Sequence, residues 1–233
     1  MTSVPRVLDA LCEVRDPELD EPITSLGFVN SCEVSADGDV ALRLRLPTPQ
    51  GAPNFAFLMA AAAREAARRL PGVREVTVVL EDHYTGEEIN AALARGGGFT
   101  DAFPGESDDD DLGALRSLFR RKALLARQAR LCERLLADGL EASVVCALRA
   151  SELPDDPDTR RCLELRKQLG VAHEEDSPAF VLADGSPLPP DQLKRWLRMA
   201  SLVRTSLEVN GDICRALLQV RNRTAPDPQE VAT

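Results

Sequence analysis

The chain has 233 residues and a formal net charge of −10, from 38 Asp and Glu against 28 Lys and Arg. This length is enough for one large hydrophobic core or two small ones. The longest apolar run, around Phe55 to Ala63, is too short to span a bilayer, and the N-terminus does not resemble a signal peptide. We therefore expect a cytoplasmic protein that has no membrane partner.

The negative charge is concentrated in the first half of the chain. Residues 1–111 contain 9 Lys and Arg against 21 Asp and Glu, a balance of −12, whereas residues 112–233 contain 19 against 17, a balance of +2. Nucleic-acid phosphates attract basic surfaces, and the scarcity of aromatic residues removes stacking platforms for bases. The sequence therefore predicts two units of different surface character and excludes a nucleic-acid partner.

Neither the cysteines nor the histidines form a familiar site. The six cysteines are scattered without a C-x-x-C pair, which favours buried apolar thiols in a reducing compartment. The two histidines, His83 and His173, lie in different halves of the chain, so a three-histidine zinc site is excluded and a Ser-His-Asp hydrolase is hard to assemble. The glycines also lack the setting of a phosphate-binding loop.

Hydrophobic periodicity predicts a helix and then two strands near the N-terminus. Ser3 is the expected N-cap of the helix, and a rigid turn at Asp16-Pro17 ends it. The strands are residues 28–34 and 40–46, and the second alternates apolar and polar side chains, as expected for a strand with one wet face. The apolar face of the helix is predicted to comprise Val4, Leu8, Leu11 and Cys12.

A longer helix is predicted from about Asn54 to Leu70, followed by a strand at residues 73–80 and a short helix at residues 87–94. This order indicates a small α-β-β-α-β domain over residues 1–95, of the α+β class, with helices covering one face of the sheet. The inner stripe of the longer helix is predicted to be Phe55, Leu58, Ala62, Ala66 and Leu70.

Residues 96–111 are rich in glycine and aspartate and are predicted to be a flexible, self-repelling linker. Residues 112–224 have helical periodicity and indicate a mainly α-helical domain, and residues 225–233 are a predicted disordered tail. The arginines between Arg116 and Arg134 form either a solvated helix face or a dock for an acidic partner, the front domain included. Apolar stripes are predicted for the first long helix at Leu115, Leu118, Phe119, Leu125, Ala129, Cys132 and Leu136, and for the last helix at Ile213, Ala216, Leu217 and Val220.

The front region resembles a family of iron–sulfur assembly proteins. The resemblance rests on four stretches, Asp16-Pro17-Glu18-Leu19, Leu26-Gly27, the helix start at Pro53 and Leu70-Pro71-Gly72-Val73. This family includes the SufT-like and PaaD-like proteins and the cytosolic iron–sulfur targeting factors, and it implies a non-enzymatic role in maturing metalloproteins. Longer members with a helical C-terminal extension look like accessory proteins of bacterial iron-dependent oxygenases.

The resemblance also marks a candidate site at the start of the long helix. In the family, a Gly-Cys-Pro step opens this helix, where unpaired N–H groups and the helix dipole favour the thiolate form that binds iron. Here the step is Gly51-Ala52-Pro53, so the cysteine is missing. The candidate binding residues are Asp16, Glu18, Gly51, Ala52, Pro53, Asn54 and His83.

Three interpretations of this region remain open. The domain binds a client metalloprotein or a cluster carrier, or it binds metal through Asp16, Glu18, Asp82 and His83, or it is a structural adaptor that kept the fold without metal delivery. Asp16 and Glu18 also have a plain structural interpretation, since an Asp before Pro commonly accepts hydrogen bonds from its own turn. We expect no metal ligand and no stably bound cofactor, with iron or an iron–sulfur cluster contacted only in transit.

Overall fold

The computed structural model describes residues 2–109 and 112–224. Part of the predicted linker, Asp110 and Asp111, and the predicted tail at residues 225–233 lie outside these described residues. No helix in the described ranges combines the length and apolarity needed to cross a membrane. The elements are α1 (Val4–Leu11), β1 (Val29–Val34), β2 (Asp39–Arg45), α2 (Pro53–Arg68), β3 (Glu75–Glu81), α3 (Gly86–Ala94), α4 (Phe99–Ala102), α5 (Gly113–Ala137), α6 (Ala142–Ala147), a 3₁₀ turn (Ala150–Glu152), α7 (Pro157–Gln168) and α8 (Leu193–Thr224).

The chain divides into two compact units. The first comprises Met1–Gly113 together with the described part of Val209–Thr233, and the second comprises Ala114–Glu208. The boundary between them falls inside α8, because the C-terminal part of that helix packs against the N-terminal domain. The predicted helical domain ran to residue 224, whereas the structure assigns residues 209–224 to the α+β unit.

The sheet of the first unit has the strand order β1-β2-β3. β1 and β2 are antiparallel and joined by a hairpin at Gly38, whose φ of 89° lies in the left-handed region that favours glycine. β2 and β3 are parallel and in register from Asp39↔Glu75 to Arg45↔Glu81, with α2 as the crossover between them. The alternation predicted for β2 is confirmed, because its buried side chains are Val40, Leu42 and Leu44.

The first helix begins where the sequence predicts, but its buried face is rotated. Ser3 occupies the N-cap position without a capping bond from its side chain, and Pro5 lies in the first turn. Val7 and Leu11 are fully buried, whereas Cys12 is exposed and does not belong to the buried face. The thiol of Cys12 instead bonds the Leu8 carbonyl within its own helix.

The predicted inner stripe of α2 is wrong except at Leu58. Phe55, Ala62, Ala66 and Leu70 are only half-buried. The helix packs against both β3 and α1, and its alanines allow these neighbours to approach closely, so small side chains line the contact. The buried residues of α2 are Ala56, Phe57, Leu58, Met59, Ala60, Ala63 and Ala67.

Part of the predicted flexible linker is packed into the first unit. Residues 99–102 form the short helix α4, which contacts α3, and the Phe99 side chain is buried. Its ring meets that of Phe57 edge-on, with 5.6 Å between the centroids, and lies 5.0 Å from the ring of Phe103. The aromatic side chains decide the conformation here, since burying a phenylalanine outweighs the flexibility of the preceding glycines.

The second unit contains α5, α6, α7 and the first part of α8 around a separate core. Its most unusual residue is Arg166, whose guanidinium is fully buried and donates to the carbonyl of Pro178 at 2.7 Å and to Oε1 of Gln128 at 3.0 Å. The predicted stripe of α5 is confirmed at Ala129 and Cys132, whereas Leu118 is exposed. Its core residues include Leu131, Val145, Cys162, Leu165, Phe180, Leu188 and Ala200.

The basic face of α5 is paired inside the second unit. Arg127 bonds Asp158 at 2.9 Å, Arg134 contacts Asp156 at 2.5 Å, and Arg130 lies 3.6 Å from the same Asp158. These arginines therefore stabilise the packing of α5 on α7, and the structure gives them acidic partners within their own unit.

The last predicted helix is the C-terminal part of the longer helix α8. The predicted core stripe at its end is wrong, because Ile213, Leu217 and Val220 are all exposed. Leu218 is buried instead and lies against Gly27, where an added Cβ would come 3.4 Å from its Cδ2.

Candidate functional site

Asp16 holds the acidic loop that follows α1. Its Oδ1 accepts hydrogen bonds from the backbone N–H of Glu18 at 2.8 Å and of Leu19 at 2.9 Å. Burial raises the pKa of this carboxyl to about 6, although both hydrogen bonds favour the charged form. The loop is closed further by Arg15, which donates to the carbonyl of Asp20 at 2.7 Å. Asp16 thus fixes the turn, as its structural interpretation predicts.

His83 ties the loop after β3 to the step before α2. Its Nε2 lies 3.0 Å from the carbonyl oxygen of Gly51, and its Nδ1 lies 3.3 Å from the N–H of Thr85. A carbonyl can only accept, so Nε2 carries the proton and the lone pair of Nδ1 faces Thr85. Burial lowers the pKa of His83, which favours this neutral imidazole. Both ring nitrogens are therefore engaged by the protein.

The start of α2 has an alanine at its N-cap and a proline as its first residue. Ala52 occupies the N-cap in an extended conformation with an exposed methyl group, and Pro53 follows as the first helical residue. Asn54 bonds the adjacent backbone N–H of Phe55 through its own Oδ1 at 2.9 Å. A side chain at Gly51 would come 3.3 Å from Nε2 of His83, so glycine keeps the two loops together.

The C-terminal part of α8 crosses this region, which sequence reasoning did not anticipate. Asn210 donates to Oε1 of Glu18 at 3.1 Å, and Arg215 donates to Oε2 of Glu21 at 2.8 Å. Two turns further on, Arg221 donates to the carbonyls of Leu46 and Asp82. This helix segment therefore contacts both the acidic loop and the loop that carries His83.

The acidic loop with Asp16 and Glu18 and the loop with His83 both contact one segment of α8. Arg215 and Arg221 are six residues apart, which corresponds to roughly 9 Å along a helix. Gly51 and His83 are in direct contact, and the acidic loop with Asp16 and Glu18 is joined to them through this segment. The sequence signal for these contacts was the difference in charge between the acidic first half and the more basic second half, but the arginines considered there were those between Arg116 and Arg134.

The polar side chains of the patch are engaged by the protein and do not converge on a metal. Glu18 bonds Asn210, and the Asp82 carboxylate lies 3.3 Å from Arg45 and 3.6 Å from Arg221. Throughout residues 2–109 and 112–224, no three His, Cys, Asp or Glu side chains are grouped to hold a metal ion. The structure therefore gives no support to the ligand set of Asp16, Glu18, Asp82 and His83.

Cys214 is the cysteine that α8 brings to this region, but its chemistry differs from that of the missing one. Burial raises the pKa of its thiol, and the negative charges of Asp16 and Glu18 raise it further. A metal-binding cysteine needs the thiolate, which this setting disfavours. Cys214 does not replace the cysteine that Ala52 lacks.

Comparisons with known proteins match the N-terminal domain. A family model described as an iron-sulfur cluster assembly protein matches residues 5–78, which include Asp16, Glu18 and the Gly51–Asn54 step but not His83. The uncharacterized protein MJ1129 of Methanocaldococcus jannaschii is 36% identical over 87 residues, which cover 37% of this chain and 90% of that protein. Through its N-terminal α+β domain, the chain therefore belongs to the iron–sulfur cluster assembly protein family.

Proposed function

We propose that the protein is a non-enzymatic auxiliary factor that binds a client metalloprotein or a cluster carrier in the cytoplasm. Family membership supports a general role in iron–sulfur assembly. One observation supports the proposed role of binding a partner rather than catalysing a reaction. Asp16 and His83 are the candidate side chains best able to transfer a proton or bind a metal, and both hold loops in place. Groups used in this way stiffen a surface, and a stiff surface loses little entropy when a partner binds.

The contact surface that we propose surrounds the His83 loop. Tyr84 is 59% exposed beside His83, with 5.2 Å between the two ring centroids, and its backbone N–H is fixed by the Pro49 carbonyl at 2.9 Å. An exposed tyrosine on a fixed backbone suits a binding hot spot, because it contributes a large contact area at low entropic cost. Ala52 and Pro53 extend this surface at the start of α2.

The client class that we propose is a bacterial iron-dependent oxygenase or a related iron enzyme, with the helical unit contributing to client choice. Iron or an iron–sulfur cluster is then cargo, handled in transit and not stably bound. Purification under strictly anaerobic conditions, followed by metal analysis and visible absorption, tests the last point. Stoichiometric iron in the isolated protein would overturn it.

Affinity capture from the native host tests the proposal itself. The full chain is expected to recover a metalloprotein or a cluster carrier, and Tyr84→Ala is expected to recover much less of it. The control Asp37→Ala is expected to recover as much as the unaltered chain, because Asp37 is exposed in the hairpin between β1 and β2, at the other end of the sheet from Tyr84. Recovery of neither protein class, or equal recovery by both variants, would contradict the proposed surface.

The alternative is a structural adaptor without a part in metal delivery, which the alanine at position 52 favours. Deleting the gene separates the two functions. An assembly factor predicts a client enzyme that loses iron while the amount of its polypeptide is unchanged. An adaptor predicts a client that keeps its iron.

A further inference from the structure

The first part of α8 lies in the second unit and has one face that is exposed along its whole length. Residues 193–207 bury the other face in the core of that unit, through side chains such as Trp196 and Ala200. At about 100° per residue, the seven exposed residues of this stretch fall within an arc of roughly 140°. We call this arc the cationic face, and it comprises Lys194, Arg195, Arg198, Met199, Leu202, Thr205 and Ser206.

The positive charge of the cationic face is not balanced on its own helix. Residues 193–207 contain no Asp or Glu, although acidic residues outnumber basic ones in the whole chain. Asp191 precedes the start of the helix, and Glu208 follows this stretch and pairs with Arg204 at 3.8 Å. In the part of the chain that the structure describes, the lysine and the two arginines of the cationic face form no ion pair, unlike the arginines of α5. These three cations are therefore available to carboxylates of another molecule.

Two large apolar side chains lie among these cations. Leu202 is 75% exposed and Met199 is 56% exposed. Around the helix axis, Leu202 lies between Arg198 and Arg195, because residues four and seven positions apart share a face. A helix face that only meets water is normally polar throughout, whereas a binding surface combines an apolar centre with a polar rim. The cationic face has the second composition.

We propose that the cationic face binds an acidic amphipathic helix of the client protein, in which Asp or Glu side chains are spaced among large apolar ones. The carboxylates of such a helix pair with Lys194, Arg195 and Arg198, and its apolar side chains cover Met199 and Leu202. The proposal rests on the proposed function for the statement that the partner is the client. It gives the chemistry by which the helical unit contributes to client choice.

Burial and charge favour a protein partner over a membrane or a nucleic acid. A helix that lies in a membrane inserts its apolar side, but this stretch of α8 packs that side, with Trp196, into the core of the second unit. An anionic bilayer or a nucleic acid is larger than the cationic face and also meets the rest of a chain whose net charge is −10. A single acidic helix meets only the local positive charge.

Fluorescence anisotropy with two labelled synthetic peptides tests the proposal on the full chain. One peptide repeats glutamate and leucine at helical spacing, and the control peptide has glutamine in place of every glutamate. At low salt, the acidic peptide is expected to bind roughly 10-fold more tightly than the control peptide. Added salt is expected to remove most of this difference, because it screens ion pairs on an exposed surface.

Two variants of the cationic face separate its charge from its apolar contact. Arg198→Glu replaces an attraction by a repulsion, and Leu202→Ser removes the most exposed apolar side chain, so each is expected to weaken binding of the acidic peptide by roughly 10-fold. The matched controls are Lys167→Glu, an exposed residue of α7, and Val144→Ser, which is 48% exposed on α6. Both controls are expected to bind the acidic peptide as tightly as the unaltered chain.

Far-UV circular dichroism is expected to show the same helix content in all these proteins, since every altered residue is exposed. Equal binding of the two peptides, or equal weakening by Arg198→Glu and Lys167→Glu, would overturn the proposal. So would a chain that does not bind the acidic peptide but binds phosphatidylglycerol vesicles or a single-stranded oligonucleotide through Arg198. If the peptide does not bind while a client is still captured through Tyr84, only this proposal fails. If the peptide binds while no metalloprotein or carrier is captured, only the proposed client role fails.

Discussion

The contact between α8 and the N-terminal domain gives the sharpest prediction, through Arg221. Its guanidinium donates to the carbonyls of Leu46 and Asp82, and its side chain is largely buried. Replacing it with methionine keeps most of the apolar stem and removes both donors. We expect Arg221→Met to release the last turns of α8 from the domain without unfolding either unit.

The size of the effect follows from the groups that lose a partner. A hydrogen bond from a charged donor contributes about 1.5–3 kcal/mol, so two such bonds set an upper limit of roughly 6 kcal/mol. Burial lowers the pKa of Arg221, which shows that desolvation opposes the contact, and water can reach part of the freed surface. We expect a net loss of about 2 kcal/mol, which corresponds to roughly 30-fold more frequent local opening.

Hydrogen exchange of the backbone amides measures this opening directly. Peptides covering residues 214–221 are expected to exchange roughly 30-fold faster in Arg221→Met, while peptides from α7 are unchanged. Arg223→Met is the matched control, because Arg223 is exposed and lies two residues further along the same helix. This variant should change the free energy of local opening by less than about 0.5 kcal/mol. Unaltered exchange in Arg221→Met, or equal acceleration in both variants, would refute the proposed anchoring.

Three further predictions concern buried groups. The pKa of Asp16 is raised to about 6, so its contribution to stability is present below pH 3.8 and lost as the pH rises through 6. In urea denaturation, the free energy of unfolding of Asp16→Asn should rise by about 3 kcal/mol relative to that of the unaltered chain between pH 3.5 and 7.5. A difference between the two proteins that does not depend on pH would contradict this. Phe99→Ala should destabilise the first unit by about 3–5 kcal/mol in thermal unfolding, whereas Tyr84→Ala should have little effect. Arg166→Met should destabilise the second unit by roughly 3 kcal/mol in urea denaturation, because the buried carbonyl of Pro178 and Oε1 of Gln128 lose their donor. Arg166→Lys should recover part of this stability, and equal stability of all three proteins would contradict the prediction.

Local patterns predicted the elements of the first unit well. The alternation in β2 depends on neighbours in sequence, and it is confirmed. The buried face predicted for α2 contained Ala62 and Ala66, whereas the buried alanines are Ala56, Ala60, Ala63 and Ala67. Periodicity reports that a helix has an apolar side, but it does not report how many neighbours cover that helix.

The candidate site could be predicted only in part, for a related reason. The contact of Gly51 with His83 joins residues 32 apart, and the resemblance pointed to the Gly51 step but not to His83, which lies beyond the matched residues. Asn210 and Glu18 are 192 residues apart, and Arg215 and Glu21 are 194 apart. The charge balance left open a dock for the acidic front domain, and the arginines considered for it were those between Arg116 and Arg134, not those of α8.

The division of the first unit between the two ends of the chain has a consequence for its biosynthesis. Translation delivers residues 1–113 first, yet the helix segment that covers the acidic loop leaves the ribosome only after the whole second unit. The helical unit can fold while the N-terminal domain still lacks the partners of Glu18 and Glu21. A nascent or prematurely stopped chain thus displays an uncovered acidic corner, and only a chain synthesised through Arg221 closes it.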